Sequence, residues 1–218
     1  MKTTFSKIGL LAFLGFVLVG CVHIPPYDYT NYRQHQPRSV LVLPPLNEST
    51  AVEGTYSYLS TVTYPLTELG YYVYPVAVVD QFLKENGMPT AGEMHQIPLN
   101  KIHEIIGADA VLYLTVQQYG SKYQVINSAT IVSVRAKMVD VKTGLTLWEG
   151  TGMAQENSGG SGNILGDMVA AALTQAINSG TDRAHDVCRM ANVNLYMMKD
   201  HGLLLGPRHP EFGKDKSK

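Results

Sequence analysis

The sequence predicts an α/β fold: a single domain with a mixed sheet and helices packed on it. Three observations carry this. Residues 39–43 (SVLVL) form a short, unbroken apolar run, as a strand buried on both faces requires. Residues 128–141 alternate instead, with Val132, Val134, Ala136 and Met138 on one side and Ser133, Arg135 and Lys137 on the other. That strand has one solvated face and belongs to an antiparallel pair. Elsewhere apolar residues recur at helical spacing, which gives the order βαβ-αα-βββ-α.

The first strand is stopped by Pro44 and Pro45. Thr50 and Glu53 have the spacing of a capping box, in which hydroxyl and carboxylate each satisfy a free amide at a helix start. A helix is therefore predicted from there to about Leu69, with Tyr58, Leu59, Val62, Leu66 and Leu69 on one face. Pro65 predicts a kink or an early break in it, and Gly70 ends it. Residues 71–79 read as a second strand, 81–87 as a short helical turn, 88–96 as a loop and 99–106 as a helix closing at Gly107. Residues 109–118 (DAVLYLTVQQ) are the third strand. The alternating strand then turns through Asp140 and Gly144 into a return strand, 145–150, that holds Trp148. Residues 157–162 (NSGGSG) read as a flexible loop. Beyond it Ile164, Leu165, Met168, Val169, Ala172, Leu173, Ala176 and Ile177 make a helical stripe wide enough to cover a sheet face. Residues 178–218 are predicted to be partly helical, with a Gly-, Pro- and His-containing tail.

The N-terminus is a processing signal. Lys2 and Lys7 precede an apolar stretch, residues 8–19, that is too short to span a bilayer as a helix. It closes on Leu18, Val19, Gly20 and Cys21, the pattern that lipoprotein signal peptidase cuts. Residues 1–20 are therefore expected to be a signal peptide and Cys21 the lipid attachment site, carrying palmitate-type chains. One acyl chain contributes only about 0.8 kcal/mol per buried CH₂, so several are needed for durable attachment. Val22, rather than an aspartate, follows the cysteine, which favours the outer membrane and a periplasm-facing domain; exposure at the cell surface stays open. Residues 21–37 are expected to form a lipidated, extended tether reaching roughly 50 Å. The competing reading packs this arm on the domain through its tyrosines. Residues 38–198 would be the α/β domain and 199–218 the tail.

Of 17 Lys and Arg residues, Lys2 and Lys7 leave with the signal peptide; against 18 Asp and Glu the mature charge is −3. This excludes the basic footprint of a nucleic-acid-binding protein. Two cysteines are present, and with Cys21 acylated only Cys188 remains, so no intrachain disulfide forms.

No motif carries chemistry. His103 and Glu104 begin an H-E-x-x-H pattern, but Gly107 stands where the second zinc ligand belongs. Gly160 and Gly162 lack the third glycine of a dinucleotide loop, because position 165 is Leu165. His185 and Cys188 are spaced to share a helix face, yet two ligands do not close a metal site. No nucleophile elbow or carboxylate pair stands out. The expectation is a protein without cofactor or metal that is not an enzyme.

Four blocks, residues 38–49 (RSVLVLPPLNES), 70–76 (GYYVYPV), 107–113 (GADAVLY) and 206–210 (GPRHP), resemble a lipoprotein family that includes a conserved meningococcal surface antigen. Its members are often encoded beside a curli-secretion-like lipoprotein. The resemblance spans nearly the whole mature chain and implies a fold like the N-terminal domain of the translocation protein TolB. It carries over no catalytic residues. The function expected is that of an envelope assembly or secretion accessory working by protein–protein contact. Its partner would be a periplasmic or outer-membrane protein, a curli-secretion-like lipoprotein among the options, with homo-oligomers another. The alternative is a glycan- or small-molecule-binding lipoprotein, with hydrolase activity an option. Asn47, Glu48, Gly206, Pro207, His209 and Pro210 are the candidate partner contacts, and the tail is expected to pack on the body or serve as a docking strand.

Overall fold

In a computed structural model of the chain, the described residues are 25–123, 128–157 and 180–214. The predicted signal peptide, Cys21, the glycine-rich loop from residue 158, the apolar stripe 164–177 and the last four residues lie outside them.

The strands are β1 (Ser39–Val42), β2 (Leu46–Asn47), β3 (Tyr72–Val73), β4 (Ala110–Tyr123), β5 (Ser128–Asp140) and β6 (Thr146–Asn157). They form one mixed sheet in the order β3-β1-β4-β5-β6, with β2 also on β4. Pairings of β1 with β3 and β4, and of β2 with β4, are parallel; β4, β5 and β6 run antiparallel in succession. The helices are α1 (Thr30–His35), α2 (Gly54–Glu68), α3 (Val76–Glu85), α4 (Ala91–Met94), α5 (Leu99–Ile105) and α6 (Gly180–Tyr196).

The apolar run of β1 is buried on both faces. Val40 and Val42 join the core under α2 and α6, while Leu41 and Leu43 join a second core with Val79, Leu83, Met94 and Ile102 from α3, α4 and α5. Asp109 fixes the register of β1 on β4. Its carboxylate accepts from the Arg38 and Ser39 amides and from Ser39 Oγ, each at 3.0 Å. Pro44 and Pro45 interrupt the ladder because neither can donate. Pairing resumes beyond them when the Glu48 amide bonds the Val116 carbonyl at 2.8 Å, which gives the short β2. In β5, Val132, Val134, Ala136 and Met138 are buried under α6 while Arg135 and Lys137 are exposed, as the alternation requires. Asp140 builds the turn into β6: its Oδ1 accepts from the amides of Lys142 and Thr143 at 3.1 and 2.8 Å, and Gly144 takes φ +73°.

α6 lies hard against β6. A Cβ on Gly152 would stand 2.4 Å from the Ala191 carbonyl oxygen, so the approach requires glycine there. A buried polar cluster ties α6 to α2: Tyr58 OH donates to Asn192 Oδ1, Asn192 Nδ2 donates to Thr61 Oγ1 at 2.8 Å, and Thr61 Oγ1 donates to the Tyr58 carbonyl at 2.7 Å.

Several sequence expectations are corrected. The strand predicted over 71–79 ends at Val73, since Pro75 stops pairing and caps α3 instead. Glu53 caps α2 without any side-chain bond, so Thr50 and Glu53 make no capping box. The box stands at Thr90 and Glu93, where it starts α4 inside the predicted loop. α2 runs through Pro65 to Glu68; only its last turn lies beyond the proline, so little of the ladder is lost. Residues 25–37 are not an extended tether. α1 forms within them, and Tyr29 and Tyr32 are each only 2% exposed.

His95, at the end of α4, donates from Nε2 to the Pro44 carbonyl oxygen at 2.9 Å; a carbonyl can only accept, so Nε2 carries the proton. Burial pushes its pKa below the ordinary 6.5, which the carbonyl bond partly offsets. The unfolded chain then takes up a proton near pH 6.5 that the folded chain refuses. The stability His95 contributes is complete above that pH and lost progressively as pH falls from it through the lower folded-state pKa. His95→Gln should flatten the decline of Tm between about pH 7.5 and about pH 5.5, measured by calorimetry beside the parent.

Candidate docking surfaces

The C-terminal segment leaves α6 at Tyr196 and runs back along the body without joining the sheet. Its carbonyls are met by buried aromatic donors. Trp148 Nε1 donates to the His201 carbonyl at 2.9 Å, Tyr29 OH to that of Gly202, and Tyr71 OH to that of Leu204 at 2.6 Å. With the Tyr71 proton on the Leu204 carbonyl, Tyr32 OH donates to the Tyr71 oxygen, and the Leu205 carbonyl oxygen lies 3.4 Å away. Leu203 and Leu204 are buried in the main core. The arm before α1 joins the same assembly through the Tyr27 amide, which donates to the Asp200 carbonyl at 3.0 Å. The tail thus packs on the body.

Gly206 crosses Gly70 at the end of α2. The Gly206 amide donates to the Leu69 carbonyl at 2.7 Å and the Arg208 amide to that of Gly70 at 3.1 Å. Gly70 has φ +87°, and a Cβ there would stand 2.4 Å from the His209 nitrogen; a Cβ on Gly206 would stand 2.8 Å from the Gly70 oxygen. Gly206 is buried, Pro207 and His209 are half-buried and Pro210 is exposed. His209 and Pro210 flank a shallow cleft of about 590 Å³ with Tyr72 and Arg208, whose guanidinium lies 5.0 Å over the Tyr72 ring.

Asn47 and Glu48 sit elsewhere. Asn47 Oδ1 accepts from the Ser49 amide at 2.9 Å and its Nδ2 donates to the Ala51 carbonyl at 2.7 Å, so its side chain shapes the turn into α2. Glu48 faces Arg135 at 3.9 Å across an exposed surface. Gly54 abuts Asn47 at one end of α2 and Gly70 abuts His209 at the other. Those ends are about 24 Å apart at 1.5 Å per residue. The six candidate residues therefore form two separate patches.

The metal-like pairs do not gather. Among the described residues no three His, Cys, Asp or Glu side chains could hold a metal ion. Cys188 is buried, and burial pushes its thiol pKa up to about 12, which removes the reactive thiolate. Glu104 pairs with Lys101 at 2.8 Å on the surface of α5. His185 lines a groove of about 500 Å³ between α2 and α6, with Ser60, Tyr64, Pro65, Val193 and Met197. Asn192, its deepest polar group, is already satisfied by Tyr58 and Thr61.

Sequence reasoning missed the outer face of α6. Met190, Val193 and Met197 follow i, i+3, i+7 spacing and are 43%, 49% and 44% exposed, with Met198 at 47% beside them. That spacing was the available signal, hidden in a segment rich in charged and small residues.

Residues 27–208 match the family described as "Putative lipoprotein GNA1162-like". The chain belongs to this lipoprotein family. It is 43% identical over 206 residues to "Putative lipoprotein NMB1124/NMB1162" of Neisseria meningitidis serogroup B (strain ATCC BAA-335 / MC58), covering 94% of this chain and 96% of that one. The crystal structure of lipoprotein GNA1162 from Neisseria meningitidis, 46% identical, matches with a TM-score of 0.54 over 66% of this chain and 100% of that chain. The mixed α/β domain is thus shared with the GNA1162-like lipoproteins. A PelC dodecamer from Paraburkholderia phytofirmans is more distant, at 14% identity and a TM-score of 0.44 over 73% of this chain and 89% of that one.

The glycine crossing gives a direct test. Gly70→Ala should cost at least about 2 kcal/mol in urea denaturation, from left-handed strain plus displacement of the tail. Gly87→Ala, at a similar φ of +86° but with nothing within 4 Å, should show the strain alone, about 1 kcal/mol.

Proposed function

We propose that this GNA1162-like protein is an outer-membrane lipoprotein that supports envelope assembly or secretion through protein contact, without catalysing a reaction. The observation that carries this is its membership of a lipoprotein family together with Leu18, Val19, Gly20 and Cys21 closing a short apolar leader. The folded arm supports it, because a domain held close to its anchor presents fixed faces to a partner. The groups that would contact that partner are the half-buried and exposed residues Pro207, His209 and Pro210 on one patch and Glu48 on the other. Tyrosine, which is enriched in protein interfaces, borders the first of them through Tyr72. The partner suggested by the family resemblance is a periplasmic or outer-membrane protein such as a curli-secretion-like lipoprotein. The likeness to the TolB N-terminal domain belongs to this same reading.

The test has two parts. Cys21→Ser should abolish the acyl mass on the mature N-terminus and release the domain from the outer-membrane fraction. In intact cells, a photo-cross-linker at Pro210 or Glu48 should capture a discrete envelope protein from the lipidated form. Recovery of the uncross-linked protein alone from both positions would defeat the contact reading. Retention of Cys21→Ser in the outer membrane would defeat the anchor.

A further inference from the structure

The exposed face of α6 carries charge at its first half, where Asp186 pairs with Arg189 at 3.9 Å, and an apolar strip beside and beyond that pair, where polar groups would ordinarily meet water. Met190, Val193 and Met197 share one side of the helix, Met198 continues the strip past its end, and Tyr64 of α2, 70% exposed, borders it across the groove. A contiguous exposed strip of this kind marks a surface that meets something apolar. Methionine is suited to an irregular partner, being unbranched and flexible.

What lies against it follows from where the chain enters. Cys21 precedes the first described residue by four positions, a reach of at most about 14 Å. Two residues further on, the Tyr27 amide is fixed to the Asp200 carbonyl. Tyr27 and Met198 line one cleft. Cys21, six residues before Tyr27, is thus tied within about 21 Å of that cleft. Met190 lies eight residues back along the chain from Met198, about 12 Å at helical rise, so the whole strip is within reach of the anchor. Lys199, exposed beside the strip, can keep its ammonium among phosphates while its stem lies on apolar surface.

We propose that the strip formed by Met190, Val193, Met197 and Met198 lies on the lipid surface to which Cys21 is attached, so that anchor and helix together orient the domain. This rests on the lipid-anchor reading. It leaves the patches at Glu48 and Pro210 as surfaces for protein contact, and it makes the membrane itself the partner of α6.

The experiment uses the full lipidated protein in vesicles of phosphatidylethanolamine and phosphatidylglycerol containing a diazirine-bearing phospholipid. Adducts are mapped by mass spectrometry after irradiation, and the acyl mass at Cys21 is read in the same sample. Met153, 49% exposed, is the internal reference, because it sits opposite Ser133 and alternates with Gly152 and Ala154, which face α6. Peptides carrying Met190 to Met198 should gain several-fold more adduct than the peptide carrying Met153. Met197→Glu with Met198→Glu, both at exposed positions, should reduce that excess several-fold with the acyl mass unchanged. Equal labelling of the Met153 peptide would show a domain that tumbles on its anchor and would overturn the proposal. Acylated Cys21 without adducts on α6 would also overturn it, and would assign the strip to residues 158–179 or to a second copy. A Cys21 without acyl mass would remove the anchor reading, and this proposal with it.

Discussion

The rest of the structure depends on three buried aromatic donors, with a fourth behind them, that hold a chain segment with no strand of its own. An extended backbone packed against a core must satisfy its carbonyls, or lose the full cost of desolvating them, about 1–3 kcal/mol for each. Here Trp148, Tyr29 and Tyr71 donate to the carbonyls of residues 201, 202 and 204, and Tyr32 donates to the Tyr71 hydroxyl. The donors come from β6, from the N-terminal arm and α1, and from the residue just before β3. They join both ends of the chain to the middle of the fold. The core under α2 and α6 therefore closes only when residues 27–35 and 203–206 are in place.

This arrangement changes what the N-terminal arm is for. A free tether would decouple the domain from its anchor and let it sample every orientation. An arm fixed by Tyr27, Tyr29 and Tyr32 leaves only a few residues between Cys21, the proposed lipid attachment site, and a rigid body. On the proposed reading, a short anchor of this kind confines the domain to the vicinity of the membrane, which suits a protein whose proposed role is to present surfaces.

The fold was legible where periodicity was unambiguous. β1 reads as doubly buried because no polar residue interrupts it, and β5 reads as half-solvated because Arg135 and Lys137 alternate with valine and alanine. Legibility failed where one residue outweighed a pattern. Pro75 ends β3 inside a run that otherwise looks like a strand, and Thr90 forms the capping box that Thr50 does not. For the tyrosine arm the extended reading, which its proline and polar composition favours, gives way to the competing one in which the tyrosines pack on the domain. The arm's burial depends on distant acceptors, the Gly202 carbonyl for Tyr29 and the Tyr71 hydroxyl for Tyr32, which no local pattern displays. The candidate contacts show the same limit. Residues 206–210 stand out in sequence, yet Gly206 is committed to Gly70 inside the protein, and only its neighbours reach the surface.

The clasp between the termini is the central claim, and residue-resolved native-state hydrogen exchange tests it most directly. The amides of Tyr27, Leu203, Gly206 and Arg208 all donate to backbone carbonyls, at 3.0, 2.9, 2.7 and 3.1 Å. They should be protected to the same level as amides of β4 and β5, opening only when the whole domain unfolds. Exchange of these four at the rates of an unstructured chain, while the sheet stays protected, would show that the termini are loose and would contradict the account.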